Sequence, residues 1–398
     1  MNNVDTNAAT ERLLRFLAVP GITGEEAKIA KEISTALKEA GVPAKSIRFD
    51  DANTRIPLPT QTGNLIVQLP GRGNLADRPR LLFMTHMDTV PLCAGAKPVK
   101  RGKKIVNTAN TALGGDNRTG CAVLVSLAAE LLGQKLPHPP ITLLFTVREE
   151  SGLFGARHLN PDDLGNPKIG FNFDGLSAAD VILGAVGADR WDVEIFGKAS
   201  HAGVAPEKGI SATMILALAM ADIYINGWWG KISKDGSEGT SNVGPVDGGE
   251  GRSAGDATNV VTDFIRVKGE SRSHDAKFFK KITAAYKEAF ADAAEQLKIA
   301  AGESGKVKFT ARTDYFPFRL NDNNPAVVRA AAGVTAIGRT PNLRVANGGL
   351  DANWMLKHGI ATATFGAGQN DIHTVLEWVD LDEFADGCRL ALALATMG

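Results

Sequence analysis

The stretch RLLFMTHMDTV, residues 80–90, is an apolar run that stops at a histidine and an aspartate. It lacks the apolar/polar alternation of a half-exposed strand, so it reads as a strand covered on both faces. The same pattern recurs on either side, in NLIVQL (64–69), ITLLFTV (141–147) and IGFNFD (169–174), with the helix-like CAVLVSLAAELL (121–132) between the second and third strands. Strands of this kind alternating with helices predict an α/β domain with a mostly parallel central sheet. Upstream, Leu13, Leu14, Phe16 and Leu17 suggest a helix over Ala8 to Leu17. Thr23 followed by Glu26 has the spacing of a capping box and predicts a second helix running to about Ala40.

Near Ala185 the pattern changes. RWDVEIFG alternates like a half-exposed strand, GISATMILALAMADIYI suggests a helix, and a Gly-rich stretch from Gly227 to Gly255 surrounds short extended pieces. NVVTDFIRVKGESRS is strand-like, residues 275–297 have helical apolar spacing, and KVKFTART is a further strand. That βαββαβ order predicts a small α+β domain, a sheet with two helices on one face, inserted into the first. After Asn321 alternating helix and apolar strand resume, in NPAVVRAAAGVTAIG and the strand TATFGAG. The expected division is a discontinuous large domain, 1–186 and 318–398, and an inserted domain, 187–317.

A chain of 398 residues exceeds the usual size of one hydrophobic core, in keeping with two domains. With 44% hydrophobic and 22% charged residues the composition is that of a globular protein rather than a disordered one. The 44 basic and 44 acidic residues cancel, so no global field favours nucleic acid or an anionic membrane as a partner. The densest basic run, KPVKRGKK (97–104), has no interleaved aromatic residue and is expected to be a solvated loop. No run approaches the roughly 18 apolar residues of a membrane span, and no secretory signal is evident. Cys93, Cys121 and Cys388 form an odd, sparse set suited to a reducing compartment, which together make a cytoplasmic location the expectation.

The chemistry concentrates where the apolar runs stop. His86 and Asp88 are two apart, so an extended chain presents them on one face, and a carboxylate there can fix the tautomer of a metal-binding imidazole. A structural histidine is the alternative. Asp116, in LGGDNRTG, precedes an apolar helix and suits an N-cap as well as a ligand. Glu149 and Glu150 are adjacent anions after a buried strand and require a positive partner. Asp174 ends IGFNFD, and His373 follows TATFGAG. In open α/β sheets this edge is where ligands bind. Histidine and carboxylate donors suit zinc, and this many exceed the needs of one tetrahedral ion, so two ions sharing a carboxylate fit better.

In this order, HMDTV, LGGDNRTG, EESG, FDG, GKASHAG and a late histidine resemble the two-zinc exopeptidase family that contains peptidase T, carboxypeptidase G and the succinyl-diaminopimelate and acetylornithine deacylases. LGGDNRTG and GQNDIHTVLEW are most similar to the peptidase T branch. The resemblance implies a zinc-dependent exopeptidase fold whose inserted domain is a lid and dimer contact. It implies two zinc ions, or other divalent metals such as cobalt or manganese. His86 and Asp174 would hold one ion and Glu150 and His373 the other, with Asp116 bridging and a cis peptide following it. Asp88 would orient His86, and Glu149 would act as general base towards a metal-bridging hydroxide. It further implies a homodimer in which His201 serves the other subunit's site, and substrate binding by Asn259 and Arg272.

The implied activity is hydrolysis of short peptides, as by an aminopeptidase or tripeptidase. An N-acyl amino acid amidohydrolase or carboxypeptidase with the same zinc centre is the alternative, and a catalytically silent binding protein on this fold is a second. The segment VANGGLDANW carries Asn347 where the peptidase T branch has an arginine, so strict tripeptide specificity does not follow.

Overall fold

The computed structural model describes residues 3–250, 254–255 and 257–398. The chain forms two compact units, Met1–Ala185 with Arg319–Ala346 and Leu350–Gly398, and Val186–Phe318 with Asn347–Gly349.

The first unit is built on a nine-stranded sheet. At its centre Ile141–Thr146, Leu81–His86, Ile169–Phe173 and Ala361–Phe365 lie side by side and parallel. Every residue of Leu81–His86 and of Ile141–Thr146 is buried, which explains the absence of alternation in those segments. The sheet as a whole is mixed: Leu65–Leu69 runs antiparallel to Ile141–Thr146, and Asp180–Ala185 antiparallel to Ala361–Phe365. Phe83, Phe171, Phe173 and Phe365 interlock across the three strands that carry them, with neighbouring ring centroids 5.4 to 6.2 Å apart. Contacts of this kind add about 0.5–1.5 kcal/mol each beyond their buried area. The helix Gly115–Gly133 is buried along nearly its whole length and packs against the helices Thr6–Leu17 and Leu381–Thr396.

Two local expectations give way to tertiary contacts. The helix Ala27–Glu39 has no side-chain cap at Glu26. The Glu26 carboxylate is fully buried and turns instead to the main chain of Gly24 and Arg148, so no capping box forms. The basic run KPVKRGKK is a hairpin rather than a loop: Pro98–Arg101 pairs with Lys104–Asn107, and the latter pairs with Trp378–Asp380. Its cations still face solvent, and Lys104 Nζ lies 3.4 Å over the Trp378 ring. Trp378–Asp380 in turn pairs with Gln369–Asn370, which closes the loop that carries His373.

The second unit is a five-stranded antiparallel sheet in the order Gly230–Lys234, Ser237–Asp247, Phe264–Ser273, Gly187–Phe196, Lys306–Tyr315. Helices Ala212–Ile225 and Ala276–Gln296 pack together against it around Trp191, Ile215, Ile265, Ile282 and Phe290. The order is βαβββαβ, one strand more than the sequence suggested. The Gly-rich stretch hides a hairpin whose two-residue turn is Asp235–Gly236, both at positive φ (52° and 76°). Among the described residues, no helix is long and apolar enough to cross a membrane.

Candidate metal centre

Three of the four central strands, Ile141–Thr146, Leu81–His86 and Ile169–Phe173, run in one direction, so their carboxyl ends share one edge of the sheet. His86 is the last residue of its strand, Asp174 directly follows its own, and Glu149 and Glu150 follow Thr146 by a short turn. Asp116 sits in the non-helical backbone that leads into the helix Gly115–Gly133 (φ −82°, ψ 101°), after Gly114 at φ 85°, a conformation that suits glycine. His373 arrives from the loop between Gln369–Asn370 and Trp378–Asp380, itself at φ 61°.

These elements bring five side chains together. His86 Nε2 lies 3.0 Å from Asp116 Oδ1 and 3.7 Å from Asp174 Oδ1. On the other side of the same carboxylate, His373 Nε2 lies 3.2 Å from Asp116 Oδ2 and 3.0 Å from Glu150 Oε2. Two donor sets result, His86–Asp116–Asp174 and Asp116–Glu150–His373, each with its atoms within 4.8 Å of one another. Asp116 is common to both. The Asp116–Asn117 peptide is cis.

Asp88 faces both His86 and the turn beyond it. His86 Nδ1 is closest to the main-chain carbonyl of Asp88, at 3.1 Å, with the carboxylate at 3.4 Å. The carboxylate is fully buried and accepts the main-chain N–H groups of Glu149 at 3.0 Å and Glu150 at 3.2 Å. Arg148, at φ 50°, donates its N–H to Glu26 at 3.1 Å. Three consecutive N–H groups of the turn are thus held by two buried carboxylates.

The electrostatics call for a cation. Burial pushes the Glu149 carboxyl well up from its ordinary value, and Asp174 rises for the same reason. Burial and the Asp116 charge raise Glu150 to about 7. Hydrogen bonds to Asp116 and Glu150 carry His373 to about 10. Burial alone would lower His86, yet the Glu149 charge and its carboxylate partners hold it well above the usual imidazole range. Burial disfavours ionised Asp116, but the two imidazoles outweigh it and pull that carboxyl down. Asp351 lies buried in the same field: burial raises it to about 7, Thr146 Oγ1 donates to its Oδ2, and its Oδ1 has no hydrogen-bond partner among the described residues. Clustered acids that individually resist ionisation, together with imidazole donors on a shared carboxylate, fit divalent ions of the zinc type.

Three residues named from the sequence lie in the second unit. His201 is exposed, and its Nδ1 accepts the N–H of Gly203 at 3.2 Å. Asn259 is exposed beside it, its carbonyl accepting the N–H of Ala202 at 2.9 Å. Arg272, on Phe264–Ser273, is half-buried and paired with Glu270: its Nη2 donates to Oε2 at 2.9 Å, and its Nε lies 2.9 Å from Oε1 as an ion-pair contact. Three supports of the centre are not singled out by the sequence reading: Glu26, and Gln369 and Glu377, which lie within GQNDIHTVLEW on either side of His373. Gln369 Nε2 donates to Asn117 Oδ1 at 2.9 Å, and Asn117 Nδ2 donates to Phe173 O at 2.7 Å, next to Asp174.

Residues 82–397 match the family described as Peptidase family M20/M25/M40. An uncharacterized protein of Bacillus subtilis, YqjE, is 30% identical over 392 residues, 98% of each chain. The crystal structure of aminopeptidase PepT from Bacillus cereus superposes with a TM-score of 0.81 at 31% identity, covering 99% of this chain and 98% of that one. A tripeptidase from Staphylococcus aureus gives a TM-score of 0.86 at 26% identity, with the same coverage. The chain therefore belongs to peptidase family M20/M25/M40 and is a peptidase of that family.

Proposed function

We propose that this peptidase is a two-metal exopeptidase, with zinc as the ion its donors suit, and that it removes residues from short peptides with Glu149 as general base. The observation that carries the reading is the shared carboxylate, with each oxygen of Asp116 facing a different imidazole. His86 and Asp174 would hold one ion and Glu150 and His373 the other, with Asp116 common to both sets. Such ions acidify water and polarise a carbonyl. Glu149, whose main chain is fixed by Asp88, accepts the proton of the attacking water at its carboxylate and delivers it to the leaving amine nitrogen. Its burial, which raises its proton affinity, suits both halves of that transfer.

The peptide substrate is supported by the likeness to PepT and to a tripeptidase. Asn347, uncharged and 3.1 Å from His274 Nε2, stands where the peptidase T branch carries an arginine, so strict tripeptide specificity is not part of the proposal, and an N-acyl amino acid amidohydrolase or carboxypeptidase with the same centre is the second reading. We assign to the second unit the roles of lid and dimer contact. Arg272 then offers a planar guanidinium to a substrate carboxylate, Asn259 contributes to substrate binding, and His201 donates to the developing oxyanion in the partner's site. A cytoplasmic location is supported by the three buried free cysteines.

The test is Glu149→Gln assayed on di- and tripeptides with free and blocked N-termini. The reading requires two bound ions and a turnover loss of about 10²–10⁴-fold. Wild-type turnover by this variant would sink it. Preference for blocked substrates by the wild-type enzyme would select the amidohydrolase reading.

A further inference from the structure

Glu377 lies four residues beyond His373, is 3% exposed and has no part in either donor set. Its carboxylate accepts three main-chain N–H groups: Leu113 and Gly114 at 2.8 Å each through Oε2, and Asp116 at 3.1 Å through Oε1. A helix start leaves such groups without intrahelical partners and favours an anion there. In this chain the anion is a side chain of the His373 loop. Packing leaves little freedom around it, because a Cβ at Gly115 would lie 3.2 Å from Glu377 Oε1. The loop that carries His373 and the turn that carries Asp116 are therefore fastened to each other beneath the centre.

We propose that Glu377 is a positioning residue for the metal centre: by holding the main chain at Asp116 against the His373 loop, it keeps the shared carboxylate in register with both imidazoles and sets the affinity for both ions. The proposal rests on the two-metal function proposed for this site. Each ion depends on it, because each donor set contains Asp116. Glutamine at this position keeps the volume but replaces one acceptor oxygen with an N–H donor. That donor then faces a main-chain N–H, either at Asp116 or at the Leu113–Gly114 pair, and the turn must move to relieve the conflict. A displacement of the Asp116 turn alters both donor sets at once.

The experiment is a competitive zinc titration of the full-length metal-free protein against a chromophoric chelator, for wild type, Glu377→Gln and Glu377→Asp. Visible spectra of the cobalt-loaded proteins and thermal melts of the metal-free forms accompany it. The expected result for Glu377→Gln is a loss of affinity of about 10- to 100-fold for both ions, with altered cobalt bands and a metal-free melt close to wild type. Wild-type affinity with an unchanged cobalt spectrum overturns the proposal. Should Glu377→Gln not fold, Glu377→Asp decides, since it keeps the charge but withdraws the acceptors: weakened binding supports the role, and wild-type binding or failure to fold overturns it. A wild-type chain that takes up fewer than two ions refutes the two-metal reading itself, and is distinguished because no variant is needed to see it.

Discussion

Asp88 Oδ1 accepts the main-chain N–H of Glu149 at 3.0 Å, so the segment that follows His86 also fixes the residue proposed as base at the end of the neighbouring strand. The second oxygen does the same for Glu150 at 3.2 Å. Asp88→Asn leaves one acceptor and sets an amide N–H against the remaining main-chain N–H. The expected outcome is a fall in kcat of about 10- to 100-fold with metal content retained, checked by steady-state kinetics alongside elemental analysis. An unchanged kcat would show that the grip on Glu149 is not used in turnover.

Gly120 lies where the helix Gly115–Gly133 presses against two strand ends. A Cβ there would lie 2.5 Å from Phe173 O and closer still to Thr85 Oγ1. Gly120→Ala is expected to cost about 1–3 kcal/mol of stability and to weaken metal binding, because Phe173 carries Asp174. Urea denaturation and zinc titration check the two effects, and a neutral substitution would contradict the packing described.

Glu26 gives a pH dependence of definite sign. Burial, with a contribution from the Asp88 charge, raises its carboxyl from 4.5 to about 7. Between these values the unfolded chain has released a proton that the native protein retains, so stability falls as pH rises through that window. The full effect is on the order of 3 kcal/mol. Glu26→Gln removes the titration, and its urea midpoint in chelator is expected to fall less between pH 5 and 7 than that of wild type. Parallel curves would count against the burial of an ionisable group there.

The proposed role of His201 predicts complementation between two damaged subunits. His201→Ala and Glu149→Gln proteins, each nearly inactive alone, are mixed, dissociated and reassembled. Half of the resulting dimers are hybrids with one intact site, so about a quarter of wild-type activity returns. No recovery would mean that His201 does not act across a dimer.

Much of the centre is legible from the sequence because its donors sit where apolar runs end. MTHMD, REES and FDG mark the carboxyl ends of three adjacent parallel strands, and their spatial convergence follows from sheet topology. The supports are not legible, for a physical reason. Glu377 and Glu26 bind main-chain N–H groups 261 and 122 residues distant, and such bonds leave no local pattern. Glu26 is also masked by a local one, since Thr23 and Glu26 have capping-box spacing while burial draws the carboxylate elsewhere. The missed strand in the second unit had a readable mark in KISKDGSEG, where Asp235–Gly236 is a strong two-residue hairpin signal, but the surrounding glycines obscured it.

The most direct measurement is anomalous diffraction at the zinc edge from crystals of the zinc-loaded protein. Two peaks flanking the Asp116 carboxylate are predicted, one beside His86 and Asp174 and the other beside Glu150 and His373. A single peak, or peaks away from Asp116, would contradict the shared-carboxylate centre on which the proposed activity depends.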